Sequence, residues 1–160
     1  TVIELSPTTN YGTNVLLVIR TSTTAGILTD YAYLEFDLSS VPAGKTIVSA
    51  ILSLYTSVFS GGADPNATIA RVTSSWVEST ITWNLQPTIG ASIVSGAINS
   101  ASNGETQFDL TTAVSNWYSL AWSNFGMRVS KDVTEDMTIA FHSSDGATAA
   151  YRPKLVIIYQ

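Results

Sequence analysis

The sequence alternates apolar and polar residues with a period of two, and this alternation restricts the fold more than any other feature. From Ala32 to Leu38 every second residue is apolar, and residues 137–142 repeat the pattern. Successive side chains of a β-strand point to opposite faces, so such stretches are typical of half-buried strands. Residues 47–56 are apolar on both faces in places, as expected of a central strand. The pattern predicts about nine or ten strands, including those at residues 2–5, 15–20, 31–38, 47–56, 68–73, 107–110, 125–130, 137–142 and 154–159.

One short helix is expected among the strands, at residues 111–119. Thr111 or Thr112 suits its N-cap, and Val114 and Trp117 lie three residues apart on one helical face. Strands throughout with one short helix predict an all-β fold, an antiparallel β-sandwich of jelly-roll type. The 160 residues contain no linker, repeat or low-complexity tract, so we expect a single domain over residues 1–160.

The composition excludes several functional classes. Because the chain has no cysteine, it carries no disulfide scaffold, cysteine nucleophile or thiolate metal site. Seven Lys and Arg residues face twelve Asp and Glu residues, giving a net charge of −5, and the basic residues are scattered. Nucleic acid is therefore not an expected partner. No apolar run approaches the roughly 20 residues of a membrane-spanning helix, so membrane insertion is not expected.

The candidate catalytic residues all have a structural explanation. His142 is the only histidine, on the outward face of a predicted strand, and a nucleophilic triad is recognised by geometry rather than by one histidine. Asp37 and Asp109 end strands, where a carboxylate accepts backbone N–H groups of the next turn. Glu78 is expected to cap a turn or to pair with Arg71. The carboxylates considered for a hydrolytic pair are Glu35, Asp37, Glu78 and Asp109. We expect no catalytic residue and no enzyme activity.

Metal binding and glycosylation are left open by the sequence. The densest acidic stretch, residues 131–136, lacks the glycine-bearing Asp-x-Asp spacing of a calcium loop, so it is interpreted as a solvated turn. The residues that remain as ligands for a structural Ca²⁺ are Asp30, Asp64, Asp132 and Asp136. No other cofactor is expected. Asn66 begins the only N-glycosylation sequon, beside a Gly/Pro-containing loop.

Five stretches in order carry a family resemblance. They are residues 9–12, residues 34–44 with 47–50, residues 71–76 with 82–87, residues 108–111 with Trp117, and residues 152–155. Together they resemble the DNRLRE domain family, which is related to the disaggregatase-type repeats of archaeal surface proteins. The chain is also similar to a carbohydrate-binding-module family that includes alginate binders. The resemblance implies a secreted, non-catalytic β-sandwich module, extracellular or on the cell surface.

Two departures from that family concern the ligand. Its members usually carry arginine in the strand before the Phe-Asp-Leu-Ser segment, whereas this chain has Tyr31-Ala32-Tyr33 there. Its uronate binders use basic residues against acidic sugars, and this chain is acidic. These departures argue against an alginate-like ligand.

The aromatic residues are the candidates for a contact surface, because the apolar face of a pyranose suits a flat π surface. Trp76, Trp83 and Trp117 coincide with framework positions of the resembled family and are expected to be buried. The predicted contact residues are Trp122 and the outward-facing pair Tyr31 and Tyr33.

Two functions follow. In the first, the chain is an extracellular structural subunit that assembles with copies of itself into filaments, because an open sheet edge can be completed by a neighbour's terminal strand. The predicted assembly strand consists of Thr1, Val2, Ile3, Glu4 and Leu5. The alternative is a carbohydrate-binding module of a larger secreted protein, whose partner is an extracellular polysaccharide.

Overall fold

The computed structural model describes residues 1–22, 29–61, 65–131 and 136–160. Its strands are β1 (Val2–Ile3), β2 (Leu16–Thr21), β3 (Asp30–Leu34), β4 (Ile47–Gly61), β5 (Asn66–Val72), β6 (Ile89–Ala97), β7 (Glu105–Asp109), β8 (Met127–Ser130), β9 (Met137–His142) and β10 (Lys154–Tyr159). One helix, α1 (Thr111–Tyr118), and two 3-10 turns, Trp83–Leu85 and Ala149–Tyr151, complete the elements described. The all-β sandwich with one short helix is confirmed.

The strands pair antiparallel in the order β10-β4-β9-β2-β3-β8-β5-β6, with β1 on β3 and β7 on β4. The 15-residue strand β4 is long enough to join both layers of the sandwich. Its first half lies between β10 and β7, where Leu52 is opposite both Leu155 and Phe108. Its second half pairs with β9, after a register shift between Thr56 and Val58. The sequence predicts β4 only to residue 56, because the alternation weakens there.

The main hydrophobic core lies between the layers. Alternation places Leu52 and Leu54 of β4 inside it, together with Ile69 of β5 and Ile139 and Phe141 of β9, all fully buried. Burying each such side chain stabilises the fold by about 1.5–3 kcal/mol. This core keeps the sheet rigid beneath the surface residues described below.

A second hydrophobic cluster covers the other face of β3. Ala32 points into the main core, whereas Tyr33 packs with Val2, Val72 and Ile81 in this second cluster. Residues 73–88 close over it, and the indole N–H of Trp76 donates to the carbonyl oxygen of Phe125 at 2.9 Å. A strand that looks half-exposed in sequence is therefore covered on both faces.

The first turn of α1 is held by Asp109, which precedes the N-cap residue Leu110. A carboxylate oxygen of Asp109 accepts hydrogen bonds from the backbone N–H of Thr111 at 2.8 Å and from its hydroxyl at 2.6 Å. The predicted cap, Thr111 or Thr112, is therefore wrong, since both lie inside the helix. The expected inward face is confirmed, because Val114 and Trp117 are buried.

Besides β4, strands β6 and β3 differ clearly from the sequence prediction. Smaller differences are that β1 ends at Ile3 rather than at residue 5 and that β8 begins at Met127 rather than at residue 125. Strand β6 was not predicted, since Gly90 and Gly96 interrupt its apolar pattern. Strand β3 ends at Leu34 rather than at residue 38, yet Phe36 and Leu38 still pack against the main core from an irregular segment. Alternation thus identified the buried residues there but not the end of the hydrogen-bonded ladder.

Candidate functional site

Arg71 and Trp122 form the wall of a surface cleft. The guanidinium carbon of Arg71 lies 4.4 Å from the centre of the Trp122 ring, within the range of a cation–π contact. The cleft has a volume of about 410 Å³, and Ser92 and Thr112 contribute hydroxyl groups to its lining. A second cleft of about 240 Å³ adjoins it and shares the same two residues, with Thr73 and Ser123 in its lining. We call the larger one the Arg71–Trp122 cleft.

Three elements hold the Arg71–Trp122 cleft in place. Arg71 lies on β5, Ser92 on β6 and Thr112 in the first turn of α1. The strands approach closely at Gly90, where an added Cβ would lie 2.9 Å from the methyl group of Thr73 and 3.4 Å from Nε of Arg71. An alanine at position 90 would therefore press on the Thr73 methyl group and would reach van der Waals contact with the Arg71 guanidinium.

The charge of Arg71 is available to a ligand. Within the described ranges, no carboxylate forms an ion pair with Arg71. An ion pair does join Arg20 to Asp30, with 3.0 Å between Nη2 and Oδ2. The predicted pairing of Glu78 with Arg71 is wrong. A guanidinium stacked on an indole keeps its planar set of N–H donors for hydroxyl or carboxylate oxygens.

Glu78 lies in a different cleft, of about 290 Å³. Glu35 and Trp76 also line it, together with Tyr33 and Ser144. Partial burial raises the pKa of the Glu35 carboxyl above its ordinary value. Two of the four carboxylates considered for hydrolysis are thus brought to one cleft, which we call the Glu35–Glu78 cleft.

The other two carboxylates have the structural role expected of them. Asp37 accepts a hydrogen bond from the backbone N–H of Ser39 at 2.8 Å, and Asp109 caps α1. These bonds, together with those from the hydroxyls of Ser39 and Thr111, lower the pKa of both carboxyls. His142 lies on the outer side of β9, where its Nε2 is 3.0 Å from Oδ1 of Asn103.

The predicted contact residues Tyr31, Tyr33 and Trp122 are not brought together in one exposed surface. Tyr33 is only 5% exposed, so little of its ring is accessible at the surface, and its role as a contact residue stays a prediction. Alternation correctly put it on the outward face of β3, but residues 73–88 cover that face. The ring of Tyr31 stacks on Trp83 with centroids 5.3 Å apart, and the guanidinium of Arg128 lies 4.3 Å from its centre. Tyr33 lines the Glu35–Glu78 cleft, and Trp122 lines the Arg71–Trp122 cleft.

The tryptophans expected in the interior do pack there. Trp117 is buried in the main core, and Trp76 and Trp83 are half-buried against the second cluster. Trp122 also rests on the main core with part of its ring. Sequence reasoning found Trp122 but missed Arg71, because nothing in the sequence links a strand arginine to a tryptophan of a distant loop.

The calcium candidates are divided by the structure. Asp64 and Asp132 lie outside the described residues. Asp30 is buried against Arg20, and Asp136 is exposed and accepts a hydrogen bond from the Ser22 hydroxyl at 2.8 Å. In the part of the chain that is described, no three His, Asp or Glu residues are grouped as metal ligands. A structural Ca²⁺ stays a prediction.

The predicted assembly strand is paired within its own chain. Val2 and Ile3 form β1 opposite Tyr31 and Asp30 of β3, and Val2 is fully buried. The Thr1 hydroxyl donates to the carbonyl oxygen of Leu16 at 3.3 Å. Glu4 and Leu5 lie beyond the short strand. Asn66, the predicted glycosylation site, is the first residue of β5 and is half-buried; its modification stays a prediction.

Comparison with known families points to one class of protein. The model of carbohydrate-binding module family 96 matches residues 1–159. No curated protein matches the chain in sequence. Across the described residues, no helix is long and apolar enough to cross a lipid bilayer. The carbohydrate-binding side of the family resemblance is thereby confirmed, whereas the relation to the DNRLRE family stays a prediction.

Proposed function

The chain belongs to carbohydrate-binding module family 96, and we propose that it is a non-catalytic module of a secreted or cell-surface protein that holds a polysaccharide chain in the Arg71–Trp122 cleft. The observation that carries this proposal is the guanidinium of Arg71, which lies on the Trp122 ring at the wall of a cleft and has no acidic partner in the described chain. Membership in this class of module supports a location outside the cell.

The cleft has the composition of a sugar site. Ligand sites combine an apolar wall with a few fixed polar groups, and here Trp122 and Ile93 supply the wall while Arg71, Ser92 and Thr112 supply the polar groups. The indole restricts the arginine to one position, so little side-chain entropy is lost when it binds a ligand oxygen. A guanidinium donates hydrogen bonds to both hydroxyl and carboxylate oxygens. The experiment therefore includes neutral and acidic polysaccharides.

Affinity electrophoresis and calorimetry with xyloglucan, galactomannan, mixed-linkage β-glucan, alginate and polygalacturonate test the proposal. Arg71→Gln should weaken binding of the polysaccharide that the native protein holds by about tenfold or more, since a hydrogen bond from a charged group contributes about 1.5–3 kcal/mol. Trp122→Leu, which retains part of the packing on the core, should weaken it as well.

Lys45→Gln is the matched control, because it removes the same charge from an exposed residue away from the cleft. It should leave binding unchanged. Equal affinities of the native protein, Arg71→Gln and Trp122→Leu would place the ligand elsewhere on the module. An absence of binding to every polysaccharide would refute the carbohydrate-binding proposal itself.

Self-association is the second candidate, and a different observation favours it. Strand β10 ends the strand order, and no strand of the described chain pairs with its outer edge. Val156, Ile158 and Tyr159 expose apolar surface on this strand, and such an edge is a template for another chain. Exchange of residues 1–5 between copies would instead have to break the β1–β3 pairing. Light scattering over a concentration series should show assembly that Ile158→Lys abolishes if β10 is the contact, and that deletion of residues 1–5 abolishes if β1 is.

A further inference from the structure

Two surface tyrosines contact each other without belonging to a hydrophobic cluster. The tyrosines outside both clusters are Tyr11, Tyr55, Tyr151 and Tyr159. The rings of Tyr55 and Tyr151 have centroids 5.7 Å apart at 51°, and Tyr151 stacks on His142 at 5.3 Å and 29°. All three residues are half-buried. Packing in the two hydrophobic clusters explains the positions of all four tryptophans. It does not explain why these three rings lie together.

Three separate segments bring the rings together. Tyr55 lies on β4 opposite Glu105 of β7, and His142 is the last residue of β9. Tyr151 ends the 3-10 turn Ala149–Tyr151, beside which Nε of Arg152 donates to the carbonyl oxygen of Gly146 at 2.9 Å. Two of the rings therefore stand on adjacent sheet strands, β4 and β9, and the third is fixed by a turn. We call this group the aromatic platform.

Polar groups around the aromatic platform are held by hydrogen bonds. Nε2 of His142 is 3.0 Å from Oδ1 of Asn103, and the backbone N–H of Asn103 donates to the carbonyl oxygen of Thr56 at 2.7 Å. The side-chain amide of Gln107 donates to the Glu105 carboxylate at 3.1 Å. Groups fixed in this way bind a ligand with little loss of side-chain entropy.

Charges of both signs lie beside the platform, and Arg152 follows Tyr151 in the chain. Hydrogen bonds from Ser53, Gln107 and Tyr55, with the positive charge of Lys154, lower the pKa of the Glu105 carboxyl. One carboxylate thus stands near one ammonium group, whereas the Arg71–Trp122 cleft presents an unbalanced cation. A ligand without charge fits the platform best, because a charged one would meet an ion of its own sign there.

We propose that the aromatic platform, formed by Tyr55, Tyr151 and His142, is a second glycan-binding surface that takes a neutral pyranose polysaccharide. The inference rests on the proposed carbohydrate-binding function and extends it to a separate face. The apolar face of a pyranose packs on one of the tilted rings, and its hydroxyl groups bond to Asn103 and Glu105 at the rim. The module then contacts polysaccharide through two surfaces that share no residue.

The test measures binding of xyloglucan, galactomannan and mixed-linkage β-glucan by calorimetry, for the native protein and for variants of the platform. Tyr55→Leu and Tyr151→Leu keep apolar volume but remove the flat ring, and each should weaken binding of the neutral chains about tenfold. Tyr151→Phe keeps the ring, so its affinity should stay within about threefold of the native value. A role in packing alone would leave binding unchanged in all three.

Tyr11→Leu is the control, because Tyr11 is a half-buried tyrosine outside both clusters and outside the platform. It should bind like the native protein. Urea unfolding of each variant shows whether a loss of affinity comes from a loss of structure. If a leucine variant does not fold, the affinities of Tyr55→Phe and Tyr151→Phe show whether the aromatic ring is sufficient for binding in a folded protein.

Arg71→Gln separates this inference from the proposed function. Neutral binding that persists in Arg71→Gln and falls in the two leucine variants supports the platform. Neutral binding that depends on Arg71 but not on the tyrosines, or no binding of any neutral chain by a protein that binds an acidic one, overturns the platform and leaves the cleft standing. A native protein that binds none of the neutral or acidic chains overturns both.

Discussion

Gly126 and Gly44 offer a matched pair of substitutions, because they have nearly the same backbone conformation in opposite surroundings. Their φ angles are +74° and +80°. A Cβ on Gly126 would collide with the carbonyl oxygen of Leu34 and lie 2.9 Å from Cα of Glu35, whereas a Cβ on Gly44 would meet nothing within 4 Å. Changing both to alanine therefore separates backbone strain from steric clash.

The losses of unfolding free energy in Gly44→Ala and Gly126→Ala should differ by the cost of the steric clash at position 126. An L-residue with left-handed φ costs about 1–2 kcal/mol, and the restricted unfolded chain returns about 0.4–1 kcal/mol, so Gly44→Ala should lower the free energy of unfolding by about 1 kcal/mol. Gly126→Ala must also shift backbone, which adds about 1–3 kcal/mol. The carbonyl oxygen of Gly126 itself accepts a hydrogen bond from the backbone N–H of Val72 at 3.1 Å. The total for Gly126→Ala is about 2–4 kcal/mol.

Urea denaturation followed by tryptophan fluorescence measures both values. The native free energy of unfolding for a domain of this size is about 5–15 kcal/mol, so Gly126→Ala should remain folded with a clearly lower midpoint. If the two variants lost stability by amounts within about 0.5 kcal/mol of each other, the close packing of β8's leading turn against residues 34–35 would be wrong.

Three further predictions concern stability. Leu52→Ala empties a fully buried position and should cost about 2–5 kcal/mol, while the exposed Leu85→Ala should stay within about 0.5 kcal/mol of the native value in the same urea series. Asp109→Ala removes the cap of α1 and should cost about 1 kcal/mol by thermal unfolding; no loss would mean that the cap is replaced by water. Burial holds the pKa of Asp30 above its ordinary 3.8 although Arg20 opposes the shift, so the folded state binds the proton more tightly. The native free energy of unfolding, relative to Asp30→Asn, should therefore fall as the pH rises from about 3.8 through the raised pKa, and a difference that grows with pH would contradict this sign.

The sequence predicted the strands whose two faces differ most. Residues 137–142 alternate strictly because one face of β9 meets the main core, and the structure places Ile139 and Phe141 there. Strand β6 was not predicted from the sequence, because Gly90 and Gly96 interrupt the apolar pattern of this strand at the end of the sheet. Alternation shows which side chains share one face of a strand. It predicts a strand where the apolar residues on that face are uninterrupted.

The candidate site was harder to predict, because it depends on what covers each face. Tyr33 points outward from β3 as expected, yet the loop that carries Trp76 buries it. Arg71 and Trp122 are far apart in the chain and meet where α1 and its following loop face β5 and β6 across the cleft. Tyr55 and Tyr151 likewise acquire their relation from tertiary structure.

The long strand β4 has a consequence for the order in which the chain folds. It is complete when residue 61 has been synthesised, but its partners β7, β9 and β10 come later, the last ending at residue 159. At roughly 5–20 residues per second, translation of that intervening stretch takes about 5–20 s. Both edges of β4 are without their hydrogen-bonding partners until β7 is complete at residue 109, and the last partner arrives with β10. The nascent chain is therefore most prone to aggregate through the segment that later unites the two layers, and added hydrophobicity in β4 would lower the yield of folded protein before it altered the finished structure.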